Sequence, residues 1–254
     1  MEITKTLITN TYNLKKKALT LAILLMFANM YAQKPEDTED WSKKPAIVTP
    51  GNGTTAPSDA ILLYTGSQDA DNWMHADGKP IKWKAEDAIT VSASTGAIKT
   101  KQEFGDVQLH IEWRSPLVVK GDGQGRGNSG VFLMGKYEVQ VLDSYENETY
   151  CNGQAGSIYK QHTPLVNACR KPGEWQTYDI LFKAPRFNTD STLQAPAYVT
   201  IIHNGVLIQN HIELKGGTKY IGLPEYEYHE EKRALELQDH GDAVSYRNIW
   251  IREL

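Results

Sequence analysis

The chain has 254 residues, of which 40% are hydrophobic and 23% are charged, with 20 glycines, 11 prolines and 2 cysteines. This composition is typical of one globular domain and excludes collagen-like, disulfide-dense and largely disordered proteins. The chain contains 27 Lys and Arg residues and 31 Asp and Glu residues, so its net charge is -4. Since a nucleic-acid-binding protein needs a basic surface, nucleic acid is not an expected partner.

Residues 1–32 predict a secretory signal peptide. Lys15, Lys16 and Lys17 form a basic segment, and the apolar run ALTLAILLMFA follows it. Ala32 is the expected cleavage point. The apolar run is shorter than the roughly 20 residues of a membrane-spanning helix, so we expect no integral membrane span after cleavage. The pattern therefore predicts a secreted or periplasmic protein.

Residues 33–58 predict a flexible N-terminal arm, because they combine four prolines with charged residues, Gly and Thr. From residue 59 to residue 254, short β-branched and aromatic runs alternate with turn residues, and no helical period persists. We therefore expect a single all-β domain, a two-sheet jelly-roll sandwich. Asn204 and Gly205 predict a tight hairpin. The candidate strands are 60–64, 81–85, 88–91, 97–101, 107–114, 130–134, 137–142, 178–183, 198–203, 206–210, 211–214, 235–238 and 244–252.

Two of these strands carry polar side chains at alternate positions. In residues 107–114 the alternation turns one set away from the core, namely Gln108, His110, Glu112 and Arg114. In residues 137–142 it turns Glu138 and Gln140 outward. We expect the two polar faces to be adjacent and to line one groove, although each could equally be a solvated surface.

The second polar strand continues to Asp143, and a β-bulge after Gln140 would return Asp143 to the face of Glu138. The resulting E-x-Q-x-x-D spacing resembles the E-x-D-x-x-E strand of laminarinase-like glycoside hydrolases, with an amide at the central position. Glycoside hydrolysis normally uses two carboxyl groups, one protonated and one ionised. Glu138 and Asp143 could serve, whereas Gln140 cannot titrate.

Two further segments add candidate binding residues. The glycine-rich loop 121–130 predicts a hairpin at the border of the groove, where Asn128 could contact a sugar hydroxyl. Near the end of strand 235–238, Gln238 and His240 share one face. Asp239 lies on the other face, where it could bind substrate or cap a turn.

Export would permit a disulfide between Cys151 and Cys169, which would stabilise the enclosed loop. Unrelated thiols or part of a metal site are the alternatives. The chain lacks the close ligand pairs of transition-metal sites, so we expect no catalytic metal and no cofactor. A structural calcium ion stays possible, since oxygen-ligand sites leave little trace in a sequence.

Four ordered blocks of the chain resemble the DUF1080 family, the 3-keto-disaccharide hydrolase domains. The blocks are GNSGVFLMGKYEVQVLDSY (127–145), GEWQTYDILFKAPRF (173–187), PAYVTIIHNGVLIQN (196–210) and LELQDHGDAVSYRNIWIREL (235–254). The resemblance implies a concanavalin A-like sandwich and an exported enzyme whose carbohydrate substrate carries a ketone at C3.

Chemistry applied to these positions suggests roles. A C3 ketone acidifies the C2 proton, so a base could start elimination of the C1 substituent, and water would then add to the product. Glu138 or His240 could be the base, Asp143 or Glu112 the acid, and Arg114 or Gln140 the oxyanion partner. The substrate-binding candidates are Gln140, Arg114, His110, Asn128, Gln238 and Asp239. A conventional glycosidase and a non-catalytic carbohydrate-binding module are the alternative functions.

Overall fold

The computed structural model describes residues 15–20, 34–53 and 55–254, in two compact units divided between Ile47 and Val48. In the first unit, residues 15–20 are helical and Pro35–Thr38 form a 3-10 helix, with exposed side chains. The rest of the proposed signal peptide lies outside the described residues. Within the described ranges, no helix has the length and apolar character needed to cross a bilayer. The boundaries proposed for the signal peptide, the arm and the domain stay predictions.

The second unit is built from antiparallel strands in two main sheets, as the strand pattern predicts. The larger sheet contains β1 (Ile61–Tyr64), β3 (Lys84–Ala85), β4 (Ile89–Thr90), β6 (Val107–Arg114), β9 (Gln176–Lys183), β12 (Tyr198–His203), β13 (Val206–Glu213) and β15 (Ser245–Glu253). The smaller sheet contains β2 (Trp73–His75), β5 (Ile98–Phe104), β7 (Ser129–Leu133), β8 (Tyr137–Val141) and β14 (Arg233–Leu237). A separate ribbon pairs β10 (Arg186–Phe187) with β11 (Leu193–Ala195). Further 3-10 helices span Ser67–Asn72, Gly123–Gly125 and Cys151–Gly153.

The order of strands decides which residues can meet. The larger sheet runs β13-β12-β9-β6-β15-β4-β3, with β1 also paired to β15, and the smaller sheet runs β2-β5-β14-β7-β8. Consequently β6 and β8, which carry the two polar rows, belong to different sheets. This arrangement separates side chains that the sequence analysis placed in one groove.

The hydrophobic core lies between the two sheets, and a few polar contacts within it link one sheet to the other. The rings of Tyr137 on β8 and Phe182 on β9 are 5.7 Å apart. The hydroxyl of Tyr178 on β9 donates to the Gln140 carbonyl at 2.8 Å, and that of Tyr246 on β15 donates to Ser129 Oγ at 2.6 Å. These contacts show that the inward faces of the two sheets pack against each other, so the outward faces lie on opposite sides of the sandwich.

Long alternating runs are predicted more accurately than short ones. Strands β6 and β12 have the bounds expected from the sequence. The hairpin after β12 is confirmed, because Asn204 and Gly205 have φ angles of 52° and 81°, as a type I′ turn requires. The run 81–85 contributes only β3, and β2, β10 and β11 were missed because strands of two or three residues carry too little pattern.

The disulfide expected between Cys151 and Cys169 is wrong in this structure, where both cysteines are free thiols. Cys151 is exposed on a 3-10 turn. Cys169 Sγ lies 3.9 Å from the Leu142 carbonyl oxygen, and burial raises the pKa of its thiol to about 12. One sulfur faces solvent while the other packs against the inner strands, so sequence separation alone was an inadequate guide.

We predict that the unfolded chain will expose two titratable thiols without prior reduction. In the folded protein Cys151 should react quickly with a chromogenic disulfide reagent, and Cys169 should react slowly because it is buried and protonated. A Cys151→Ser variant should retain only the slow phase. If the unfolded, unreduced protein shows no titratable thiol, the expected disulfide between Cys151 and Cys169 is present after all.

Candidate active site

The side chains of Glu138 and Gln140 point from β8 to the outer face of the smaller sheet. Their neighbours Tyr137, Val139 and Val141 fill the core, and strand alternation sends the intervening residues the other way. The pairing of β8 with β7 is regular, with Phe132 opposite Glu138 and Gly130 opposite Gln140. The strand therefore supplies a rigid base for the two polar side chains.

The Glu138 carboxyl group is buried without a counter-charge. The residue is 4% exposed, and no donor within the described residues bonds its carboxyl oxygens. Burial in a low-dielectric environment penalises the ionised form and raises the pKa of Glu138 to about 8. A group with this pKa is mostly protonated at pH 7 and can exchange a proton near neutrality, as catalytic acids and bases do.

Gly130 provides the space that the carboxyl group occupies. A Cβ atom at Gly130 would lie 2.7 Å from Glu138 Oε1 and 2.8 Å from Phe132 Cε2. Both contacts are shorter than van der Waals separation, so any larger residue would displace the carboxyl group or the ring. The glycine thus acts on the position of Glu138 across the strand pair.

A cavity of about 610 Å³ opens above Glu138. Its lining is polar and aromatic, with contributions from β7, β8 and four connecting segments. The lining residues are Gln124, Gly125, Asn128, Phe132, Glu138, Gln140, Tyr150, Tyr159, Lys160, Thr218, Tyr220, Gln238 and His240. Among these described residues Glu138 is the one carboxylate and Lys160 the one lysine or arginine.

Three amides lie together in the cavity. Gln140 Nε2 donates to Gln124 Oε1 at 3.2 Å and to Asn128 Oδ1 at 3.3 Å, and Asn128 Nδ2 donates to the Gln124 carbonyl. Within the described part of the chain, Gln140 Oε1 and Gln238 Oε1 are buried without a donor. Amides that both donate and accept suit the hydroxyl groups of a sugar.

Five of the predicted site residues lie at this cavity. They are Asn128, Glu138, Gln140, Gln238 and His240. His240 is exposed and makes no ion pair or hydrogen bond within the described residues. These five side chains therefore line one cavity, and the roles assigned to them stay predictions.

Asp143 is not part of the cavity, and the expected bulge does not bring it there. Strand β8 ends at Val141, and Asp143 Oδ2 accepts a hydrogen bond from Arg126 Nε at 2.7 Å. Asp143 is buried, and the guanidinium of Arg126 also donates to the carbonyls of Tyr145 and Glu146. Asp143 thus joins two loops through a buried ion pair, and its proposed catalytic role is wrong in this geometry.

Asp239 is likewise structural. Its Oδ2 accepts hydrogen bonds from the backbone amides of Thr95 and Gly96, both at 2.9 Å, and its Oδ1 accepts one from Gly241. Three backbone donors occupy the carboxylate, so the turn-capping alternative holds and the substrate-binding role is wrong. Asp242 has a related role, accepting a hydrogen bond from the backbone amide of Asn128 at 2.8 Å.

Glu112 and His110 lie on the outer face of the larger sheet. Glu112 accepts hydrogen bonds from Arg247 Nε at 2.6 Å and Asn248 Nδ2 at 2.9 Å. Burial would raise the pKa of Glu112, but the His110 ring at 4.0 Å and the hydrogen bonds from Asn248 and Arg247 lower it to about 2. An acid that stays ionised in an ion-pair network cannot protonate a leaving group, so its catalytic assignment is wrong.

His110 and Arg114 are also occupied on that face. His110 Nδ1 lies 2.7 Å from Asp179 Oδ1. Although burial opposes the charge, the hydrogen bond with Asp179 and the nearby Glu112 carboxylate raise the pKa of His110 to about 9. The guanidinium carbon of Arg114 lies 4.6 Å from the centroid of the Trp175 ring. Both were expected to bind substrate beside Glu138, and strand pairing places them on the other sheet.

The sequence analysis missed the aromatic side of the cavity. Tyr150, Tyr159 and Tyr220 lie in connecting segments without a strand pattern, and Lys160 follows directly after Tyr159. The clustering of tyrosines was the signal available. Gln124, by contrast, lies in the glycine-rich loop that was expected to border the groove.

A metal site is not assembled from the usual ligands. Within the residues that the structure describes, no group of three or more His, Cys, Asp or Glu side chains is arranged to hold a metal ion. The expectations of no catalytic metal, no cofactor and a possible structural calcium ion stay predictions.

The model of the 3-keto-alpha-glucoside-1,2-lyase-like domain matches residues 59–252. The chain belongs to this family. The lyase-like domain is also similar to a solved structure from Parabacteroides distasonis, provisionally assigned as a glycosyl hydrolase, with 48% identity, 88% of this chain and 98% of that chain covered, and a TM-score of 0.84. A second structure from that organism has 21% identity, a TM-score of 0.55 and coverage of 77% and 94%, and shows the fold alone. The comparison with curated proteins gives no match.

These comparisons establish the fold and the broad class. The two-sheet sandwich of the lyase-like domain is of the concanavalin A-like type, and the domain is of a carbohydrate-active, glycosyl-hydrolase-like class. The expected resemblance to the 3-keto-disaccharide hydrolase domains is confirmed.

We predict that Gly130→Ala lowers kcat by about tenfold or more, because the added methyl displaces the Glu138 carboxyl group. Gly125→Ala is the matched control, since Gly125 lines the same cavity and its Cβ would meet no atom within 4 Å. Turnover of a 3-keto-glycoside and thermal unfolding of both variants provide the measurement. Equal activity in the two folded variants would show that Gly130 is not needed to position the Glu138 carboxyl group.

Proposed function

We propose that the lyase-like domain cleaves glycosides that already carry a ketone at C3, by removing the C2 proton and expelling the C1 substituent. The single carboxyl group among the described residues of the cavity carries this proposal. Conventional glycoside hydrolysis uses two carboxyl groups on either side of the bond, whereas elimination next to a ketone needs one base. Gln140 occupies the place of a second carboxylate, and Asp143 is paired with Arg126.

Glu138 is the base in this proposal. Its ionised form takes the proton from C2, and the C–H electron pair forms an enolate with the C3 oxygen. The pKa of about 8 makes this carboxylate a stronger base than an ordinary glutamate while leaving a useful ionised fraction near neutral pH. Burial thus increases its fitness for abstracting a proton from carbon.

The enolate then re-forms the C3 ketone, C1 and C2 become doubly bonded, and the C1–O bond breaks. His240 is proposed to deliver a proton to the departing oxygen, since its exposed ring lines the cavity and has no other described partner. Gln140, Asn128 and Gln238 would hold sugar hydroxyls. Addition of water to the unsaturated ketone completes hydrolysis.

The substrate brings its own ketone, so the proposed reaction requires no redox cofactor. Because the basic segment and short apolar run precede the domain, we also propose that the mature protein is secreted or periplasmic, where it would meet oxidised saccharides.

The decisive experiment compares a 3-keto-disaccharide with its unoxidised parent, following release of the reducing sugar. We expect turnover of the oxidised compound alone, and kcat/KM should increase as the pH rises towards about 8, because the ionised form of Glu138 is the active one. Cleavage of the parent at a similar rate would favour a conventional glycosidase. Binding of both without turnover would favour a carbohydrate-binding module.

A second prediction separates the catalytic role of Glu138 from a structural one. Glu138→Gln should lower kcat by roughly 10²-fold or more, as expected for loss of a general base. Its pKa is higher in the folded state, so the folded wild type retains a proton that the unfolded chain loses between pH 4.5 and about 8. The free energy of unfolding of the wild type should therefore fall across this window, by about 1.4 kcal/mol at most per pH unit.

The glutamine variant lacks this titration, so its Tm should match the wild type near pH 4 and exceed it near pH 9. Glu103→Gln, an exposed position on β5 of the same sheet, is the control and should change neither activity nor this pH dependence. A constant Tm difference across the pH range would contradict the buried, unpaired state of the Glu138 carboxyl group.

A further inference from the structure

Lys160 occupies a defined place in the cavity above Glu138. Its Nζ donates to the Tyr220 carbonyl oxygen at 2.7 Å and lies 4.1 Å from the centroid of the Tyr220 ring. The rings of Tyr150 and Tyr159 are 5.8 and 5.7 Å from the same nitrogen. An ammonium group has three donors, so the contact with Tyr220 leaves two for other partners.

The backbone around Lys160 is tied to the strand that carries Glu138. The amide of Tyr159 donates to the Glu138 carbonyl oxygen at 3.2 Å, and the amide of Lys160 donates to the Asn152 carbonyl oxygen at 2.8 Å. Lys160 itself has a φ angle of 57°, in the left-handed region that non-glycine residues rarely occupy. The surrounding hydrogen bonds therefore hold a strained residue in register with the proposed base, a feature that clusters at functional sites.

The movement of charge in the proposed reaction identifies what Lys160 can do. Before proton transfer, the negative charge lies on the Glu138 carboxylate and the ketone is neutral. After transfer, Glu138 is neutral and the negative charge lies on the C3 oxygen. Among the described residues that line the cavity, Lys160 is the one lysine or arginine. Its ammonium group can therefore stabilise the negative charge that forms on the C3 oxygen.

We infer that Lys160 is a catalytic residue that contacts the C3 oxygen of a 3-keto-glycoside and stabilises the enolate formed on C2 proton removal. This inference rests on the proposed function and adds a group that recognises the oxidised carbon. The ammonium interacts more strongly with an enolate oxygen than with a neutral ketone, so it lowers the barrier rather than merely tightening binding. An unoxidised sugar presents a neutral hydroxyl at C3 and forms no such charge.

The test compares Lys160→Met, Lys160→Arg and Lys215→Met in the full chain. Met and Arg, like Lys, are unbranched at Cβ, so each side chain is equally compatible with the left-handed backbone conformation at position 160. The main difference between the two variants is therefore the positive charge, which Arg keeps and Met lacks. Lys215 is exposed, forms no described ion pair and does not line the cavity, so its replacement is the control. We expect Lys160→Met to lower kcat on a 3-keto-disaccharide on the order of 10²-fold, Lys160→Arg to recover about tenfold or more of this loss, and Lys215→Met to change nothing.

A second measurement distinguishes the proposed catalytic role of Lys160 from a purely structural one. A 3-keto-1,5-anhydro sugar has no glycosidic leaving group at C1, so removal of its C2 proton is followed as exchange with deuterium from the solvent. We expect Lys160→Met to slow this exchange by the same factor as kcat, with affinity for the unoxidised disaccharide and Tm close to those of the wild type. Lost affinity for the unoxidised sugar together with a lower Tm would overturn the inference in favour of a loop-fixing contact.

The failure of this inference is distinguishable from failure of the proposed function. If the wild type cleaves the 3-keto-disaccharide and Lys160→Met retains full kcat and exchange, the enolate role is wrong while the function stands. If borohydride treatment in the presence of the 3-keto sugar adds the mass of the sugar to Lys160, a covalent imine replaces the non-covalent contact. If the wild type neither cleaves nor exchanges, the proposed function itself fails.

Discussion

The burial of apolar side chains between the two sheets determines which polar groups can reach the cavity. Tyr137, Val139 and Val141 enter the core, and the two-residue period of a strand then requires Glu138 and Gln140 to face outward. The Tyr178 hydroxyl, bonded to the Gln140 carbonyl, fixes the depth of the same strand from the other sheet. The position of the proposed base is therefore a consequence of core packing, and any shift of register by one residue would bury Glu138 in the core and expose Val139.

The candidate site retains a group that is unfavourable for stability. An unpaired buried carboxyl group lowers stability at neutral and alkaline pH, and a neighbouring guanidinium would remove that penalty. Such a partner exists for Asp143, where Arg126 forms a 2.7 Å contact, and for Glu112, where Arg247 does so at 2.6 Å. Despite burial, the hydrogen bonds to Glu112 hold its pKa at about 2, whereas burial without a partner raises the pKa of Glu138 to about 8. The three carboxylates share a residue class, and their environments give them different uses.

Much of the fold was predictable from local pattern. Strand β6 alternates over eight residues, and its inward and outward sets are as expected. The sheet to which β6 belongs was not predictable, because strand order depends on pairing with β9 and β15, which are distant in sequence. For this reason the outward orientation of His110 and Glu112 was right while their proximity to Glu138 was wrong. The family blocks identified the fold and class, but they carried no information on sheet order.

The candidate site was only partly predictable for a related reason. Glu138, Gln140 and Asn128 are on or beside regular strands, so alternation locates them. Tyr150, Tyr159 and Lys160 belong to segments whose course is set by individual hydrogen bonds, such as the one between the Lys160 amide and Asn152. Their approach to the cavity therefore has no periodic signal. Asp143 shows the converse. Its spacing in the sequence suggested a catalytic position, but in the structure its carboxylate is paired with Arg126 outside the cavity.

The cavity combines a floor on the regular strands β7 and β8 with walls on connecting segments near residues 124–128, 150–160, 218–220 and 238–240. Insertions and replacements in connecting segments disturb a sandwich far less than changes within its sheets. Such a division lets Glu138 stay constant while the walls diversify, so exchanging wall segments between homologous sandwiches offers a route to new saccharide preferences without rebuilding the strands that hold Glu138.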